Sequence, residues 1–241
     1  MKRIASLAAG LLCVFWMALA SGQSLPPLAK QLKPEETALV MVDFQNNFAA
    51  QDGEHYKRLK KFYDDTKMLD NSVEVVKRAR ALGVLVVHVT EAYTPDYREL
   101  DWTNPGRFHR SQILRQSWKM GTRPVELFEP LRPGPGDKDI MLPNRVQASG
   151  FGGNGLDAIL RGRGIKNVAV GGFTADVCVY ATVLSAFDLG YHVYAVKDAI
   201  APFYGELSEQ LMKEIYPMWA RVVDHKELLG MLEVGKAAPK P

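Results

Sequence analysis

The sequence predicts an α/β fold in which parallel strands form one sheet with helices on both faces. Three observations carry that expectation. Short apolar runs alternate with helix-spaced stretches along most of the chain. The runs are apolar at successive positions, as strands buried on both faces require. The length, 241 residues with 47% hydrophobic and 24% charged, fits a single globular α/β domain.

The first strand is expected over residues 37–43, TALVMVD, an apolar run that ends in an acid. A helix over 54–82 follows, with Val73, Val76, Ala79 and Leu82 on one stripe and Gly83 to stop it. The second strand is VLVVHV at 84–89, where His88 reads as a core or lid histidine and not as a ligand. Residues 90–137 show little periodicity but many aromatic and charged side chains, among them Tyr93, Tyr97, Trp102, Phe108, His109 and Trp118. Segments of that length cover sites or make subunit contacts. A third strand at 139–142, a glycine-rich stretch and a helix at 156–161 come next. The fourth strand, 168–170, is expected to end at Gly171 and Gly172. Thr174 or Asp176 can then cap a helix in which Val177, Tyr180, Ala181, Leu184 and Phe187 recur at helical spacing, closed by Gly190. A fifth strand at 191–196, a helix at 207–216 and a last strand at 220–223 complete the alternation.

The ends read differently. Lys2 and Arg3, an apolar run from Ile4 to Met17 and Ala18-Leu19-Ala20 form the pattern of an export signal over 1–20, so a periplasmic or secreted protein is expected. An uncleaved membrane anchor is the alternative, but the run is short for a full span. Residues 21–36 are a lead-in, 37–230 the domain, and 231–241, with GKAAPKP, a loose tail. Cleavage would remove two of the 30 basic residues and leave 27 acidic ones, a net charge of about +1. No nucleic-acid partner and no stable membrane association of the cleaved chain are expected. The Lys57, Arg58, Lys60, Lys61 run reads as a solvated helix face.

Two residues carry candidate chemistry. Asp43 ends a buried strand, where an acid is costly unless paired or used; a loop acid or N-cap is the plainer alternative. Cys178 lies in the first turn of a helix that springs from a strand, where unpaired N–H groups and the helix dipole favour a thiolate. A small buried core residue is the alternative there. Cleavage would also remove Cys13 and leave Cys178 without a disulfide partner in an oxidising compartment. Gly150, Gly152 and Gly155 match a dinucleotide fingerprint, with Asp176 further on, but seven residues separate the first glycine from its strand. No cofactor is expected. No D-x-H or H-x-H pair stands in 90–137, so no metal site is expected either.

The segments ALVMVDFQNNF, GDKDIMLPNRVQASGF and GGFTADVCVYATVLSAFDLGYHVYAVKDA resemble the isochorismatase-like cysteine hydrolase family, over about residues 37–223. That family includes nicotinamidases, N-carbamoylsarcosine amidohydrolase and ureidoacrylate amidohydrolase, and SGF with LDAILRGRGI resembles the last. The resemblance implies a Rossmann-type, three-layer α/β/α fold with a six-stranded parallel sheet. It implies an Asp, Lys, Cys catalytic set, with Asp43 and Cys178 in the matching places and Arg145 where relatives have lysine. A cis peptide between Phe173 and Thr174 and an oxyanion hole from the N–H groups of Thr174 and Cys178 are implied as well. Arginine keeps the charge but cannot shuttle a proton.

The expected function is hydrolysis of a small amide, ureido or carbamoyl C–N bond by an oligomeric enzyme with a small-molecule substrate. Asp43 would take the thiol proton, Cys178 would form a thioester, and Asp43 would return the proton to the leaving nitrogen. Gln45, Phe48, Phe151 and Phe173 are candidate substrate-binding residues. Two alternatives stand: a weak or inactive member that binds a ligand or partner, on account of Arg145, and a vinyl-ether hydrolase of isochorismatase type.

Overall fold

A computed structural model describes residues 27–237. The chain divides into Met1–Lys30 and Gln31–Pro241, and the described strands and helices lie in the second unit. The expected leader over 1–20 falls outside the described residues. No helix among the described residues is long and apolar enough to cross a membrane.

Six strands form one parallel sheet: β1 Thr37–Val42, β2 Leu85–Glu91, β3 Ile140–Arg145, β4 Asn167–Phe173, β5 His192–Ala201 and β6 Arg221–Val223. Their order is β3-β2-β1-β4-β5-β6, every neighbouring pair parallel. The order reverses between β1 and β4, which opens a crevice beyond their carboxyl ends. The helices are α1 Asn46–Ala49, α2 Tyr56–Thr66, α3 Met68–Leu82, α4 Arg107–Arg115, α5 Leu156–Gly162, α6 Cys178–Asp188, α7 Gly205–Gln210 and α8 His225–Ala237.

Strand alternation separates two cores. Leu39 and Met41 of β1 join Ala169 and Phe173 of β4 on the face covered by α2, α3 and α8. Ala38, Val40 and Val42 join Val168 and Val170 on the face covered by α5 and α6. Burial on both faces is why these strands read as continuous apolar runs.

Several elements differ from the sequence expectation, each for a local reason. The glycine pair does not end β4. A Cβ on Gly172 would lie 2.0 Å from the Val42 carbonyl oxygen, and φ there is +130°, so only glycine lets β4 run this close to β1. The expected helix over 54–82 is two helices, broken at Lys67 in the left-handed region (φ 58°). β3 continues through Pro143 to Arg145, which an edge strand permits. The weakly periodic 90–137 segment holds α4 and two short 3₁₀ turns. The expected loose tail from residue 231 is corrected for Met231–Ala237, which belong to α8. Met231 and Leu232 are buried there, the Met231 carbonyl accepts the Leu32 N–H at 2.9 Å, and a Cβ on Gly235 would meet the Leu32 carbonyl oxygen. Residues 238–241 lie outside the described residues.

Candidate active site

Four adjacent strands deliver four polar side chains to the crevice. Asp43 follows β1 in the left-handed region, with φ of 54°. Arg145 ends β3, just after Asn144 at φ 63°. Cys178 opens α6 beyond β4, and Glu91 ends β2. All four are buried. One Arg145 nitrogen donates to both Asp43 oxygens, at 2.7 and 2.5 Å. A second nitrogen donates to the carbonyls of Gln147 and of Ala148, the latter at 2.8 Å, and Nε has no partner among the described residues. The guanidinium is thereby locked at both ends, a planarity that lysine lacks. The Cys178 sulfur lies within 4.8 Å of a carboxylate oxygen of Asp43 and of one of Glu91.

Electrostatics sets the resting protonation. Burial pushes the Asp43 carboxyl up, and the Arg145 charge and hydrogen bonds oppose it. Two oxygens on one guanidinium favour the ion pair in so dry a space. Burial pushes the Cys178 thiol well above its ordinary range, and the Asp43 charge adds to this. The sequence expectation of a helix-activated thiolate is therefore corrected: the resting group is a thiol, and its proton must be taken during reaction.

The turn before α6 is built by backbone and not by side-chain capping. The Phe173–Thr174 peptide is cis. The Thr174 carbonyl accepts the N–H groups of Val177 and Val179. Asp176 caps nothing on α6; its carboxylate accepts the N–H groups of Phe203 and Tyr204 at 2.8 Å each. The N–H groups of Thr174 and Cys178 have no acceptor among the described residues.

A cavity of about 240 Å³ opens above Cys178. Phe48, His55, Trp118 and Phe203 form its aromatic wall, Glu91 and Thr174 stand near its floor, and Arg107 and Arg115 of α4 line it as well. Arg58, expected on a solvated face, stacks on Phe203 at 4.1 Å and donates to its carbonyl at 2.6 Å. Lys60 and Lys61 do pair along the exposed face of α2, with Asp64 and Asp65.

Of the expected substrate-binding residues, Phe48 lines the cavity. Phe173 lies one layer deeper, fully buried and stacked on Phe48 at 4.7 Å. Phe151 packs against Tyr191 with the core on the α5 and α6 face. Gln45 is buried and bonds backbone: its amide donates to the carbonyls of Glu91 and Val125 and accepts the Glu91 N–H. None of these three is among the residues that line the cavity above Cys178. His88 is buried and bonds Asp139 at 2.8 Å. The glycine-rich stretch is occupied within the chain: the Gly150 N–H donates to Thr182, and Asn154 accepts the Leu156 N–H.

Sequence reasoning missed Glu91, His55 and Phe203, and it placed Trp118 only within the 90–137 segment expected to cover a site. The signal for Glu91 was the one that flagged Asp43, an acid at the carboxyl end of an apolar strand. Among the described residues, Asp43, Glu91 and Cys178 are a trio whose ligand atoms lie within 4.8 Å of one another. The cation that Asp43 already holds is the guanidinium.

The parallel α/β sheet thus carries a thiol, two carboxyl groups and a buried cation at its switch point, where sheets of this class bind ligands. The chain belongs to the isochorismatase domain family, whose profile matches residues 37–227. It is 32% identical over 182 residues to a ureidoacrylate amidohydrolase of Rhizobium rhizogenes, covering 70% of this chain and 71% of the relative. The N-carbamoylsarcosine amidase structure from Thermoplasma acidophilum aligns at a TM-score of 0.62 with 27% identity, over 79% of this chain and 96% of that one. A cysteine hydrolase structure from Pseudomonas syringae pv. phaseolicola shares the fold at a TM-score of 0.72 and 23% identity, over 88% and 100% of the two chains.

Proposed function

We propose that this protein is an exported cysteine hydrolase that cleaves a small amide, ureido or carbamoyl C–N bond through a thioester acyl-enzyme. The observation that carries the reading is the thiol of Cys178 within 4.8 Å of an Asp43 carboxylate that Arg145 holds by two hydrogen bonds. Asp43 takes the thiol proton as general base, and the sulfur attacks the carbonyl carbon at the cavity floor. The N–H groups of Thr174 and Cys178 are free to receive the developing oxyanion. Arg145 stays charged throughout and stabilises the carboxylate before proton transfer.

The cavity supports a small, flat substrate with an anionic end. About 240 Å³ suits a molecule of a few carbon and nitrogen atoms, the aromatic walls suit a planar ureide, and Arg107 and Arg115 suit a carboxylate. The ureidoacrylate amidohydrolase relatives favour the same class. Export rests on Lys2, Arg3, the apolar run and Ala18-Leu19-Ala20. N-terminal sequencing that finds Ser21 first supports it, and an intact Met1 in the membrane fraction contradicts it. The resemblance also supports a homo-oligomer, which light scattering reads.

The test of the activity is ammonia release from a panel of small amides, ureides and carbamoyl compounds, run with wild type and Cys178→Ala. Cys178-dependent release from ureido acids is expected. No Cys178-dependent release from any compound overturns the reading.

A further inference from the structure

Glu91 is a buried acid to which the mechanism above gives no task. One of its oxygens accepts the Tyr93 hydroxyl at 2.5 Å, and the other lies 4.0 Å from Arg145. Gln45 grips its backbone, accepting the Glu91 N–H at 3.0 Å and donating to its carbonyl at 2.7 Å. Glu91 lines the cavity together with Cys178 and Thr174, and Asp43 is not among the lining residues, although both carboxyl groups are almost fully buried. Glu91 is therefore the carboxyl group placed toward a scissile nitrogen in the cavity.

The charges around Glu91 explain its state. Asp43 faces it from the turn after β1, Arg145 from the end of β3, Tyr93 from beyond β2 and Cys178 from α6. The sole cation of this set, Arg145, gives one nitrogen to both oxygens of Asp43. A second carboxylate in the same dry space would lack a close counter-charge. Burial, and then the Asp43 charge, push Glu91 up to about 8. It thus holds a proton at neutral pH, which Arg145 cannot supply.

We infer that Glu91 is the acid that protonates the leaving nitrogen and the base that then activates the hydrolytic water. The inference rests on the cysteine-hydrolase reading. Asp43 takes the thiol proton as the sulfur–carbon bond forms. The carbon–nitrogen bond breaks as the nitrogen takes the Glu91 proton, which leaves a thioester and a Glu91 carboxylate. Water gives a proton to Glu91 as its oxygen bonds the carbonyl carbon. The sulfur–carbon bond breaks, and the sulfur recovers its proton from Asp43. Both acids and the thiol end as they began.

The test compares a leaving group that needs a proton with one that does not. Glu91→Gln keeps shape and removes the acid. Ammonia release from the best ureide of the panel should fall about 100-fold or more, the scale of general acid catalysis. The p-nitrophenolate burst from p-nitrophenyl acetate should stay within about threefold, followed by slow turnover because deacylation lacks its base. Wild type gives a second readout that needs no variant: ammonia release should decline as pH rises through about 8, while the ester burst does not. Equal loss of ammonia release and burst would mean that Glu91 only supports the site, and would overturn the inference. So would ammonia release within about threefold of wild type, or no alkaline decline. A wild type with no Cys178-dependent release at all fails the cysteine-hydrolase reading itself. That result is distinct, because failure of the Glu91 role shows only against an active wild type.

Discussion

Two carboxylate–guanidinium clusters lie at opposite ends of β2 and β3, one partly exposed and one buried, built from the same residue types. Near the start of β3, Asp139 receives three bonds from Arg80, at 2.7 to 3.2 Å, and one from His88 at 2.8 Å. Burial pushes Asp139 up, but the His88 and Arg80 hydrogen bonds outweigh it and hold the carboxyl below its usual range. At the carboxyl ends, two carboxyl groups and a thiol share one guanidinium, and burial pushes all three acids up. Arg80 also lies 3.5 Å from Asp137, so two carboxylates share that guanidinium as well. The clusters differ in burial and pairing: Arg80 is partly exposed and bonds Asp139 three times, whereas Glu91 is buried with its nearest guanidinium nitrogen 4.0 Å away. The difference between a brace and a reaction centre here is one of burial and pairing and not of residue type.

Substitutions can break that contrast. The largest effect is expected from Cys178→Ala, which should abolish hydrolysis while costing about 1 kcal/mol of stability, read by turnover and melting together. Wild-type turnover in that variant would remove the thiol from the mechanism. Arg145→Ala should come next. It strips the counter-charge from Asp43 and should cost about 3–5 kcal/mol of stability along with most activity. Arg145→Lys restores a charge at the same place and should keep turnover within about tenfold, roughly 1.4 kcal/mol of barrier. An increase above wild type would instead mark the arginine as a brake on amide hydrolysis.

The pH dependence of stability sharpens the contrast, because the two clusters have opposite signs. Glu91 is raised from 4.5 to about 8, so its contribution is fully present below about 4.5 and is lost as pH climbs to about 8. Asp139 lies below its unfolded value of 3.8, so its contribution is present above that value and is lost as pH falls through its folded value. Melting curves across pH should therefore lose their decline between about pH 4.5 and 8 in Glu91→Gln and part of their acid decline in Asp139→Asn. Asp139→Asn should cost about 1–3 kcal/mol at neutral pH and leave turnover within about twofold. The smallest expected effect is that of a chelator. Arg145 already provides the positive charge for Asp43, so EDTA should leave the rate unchanged, and a loss that zinc restores would contradict this.

The two clusters also differ in how far the sequence discloses them. Asp43 and Cys178 are legible because each sits at the junction of an apolar run and a change of period, and the resemblance supplies Arg145. Glu91 carries the same sign as Asp43, but the expected end of its strand at Val89 falls two residues short and leaves it in a long segment without a pattern. The cavity wall was legible only at Phe48. His55, Trp118 and Phe203 come from three distant segments that meet only when the sheet is folded, and no local spacing announces that meeting. Gln45 and Phe173 flank visible motif residues, yet which way a side chain points beyond a strand depends on backbone turns such as the one at Asp43. Both fold faces, by contrast, follow from alternation along β1 and β4 alone.

The central claim, that the acid-rich cluster makes Cys178 a nucleophile, is tested most directly by intact-mass spectrometry during turnover of an active ureide. The account predicts a covalent adduct of the acyl mass on Cys178 in wild type, absent in Cys178→Ala, and an acetyl adduct from p-nitrophenyl acetate that outlasts the wild-type one in Glu91→Gln, where only release is slowed. Undiminished ammonia release by Cys178→Ala, or an adduct that maps to another residue, would contradict it.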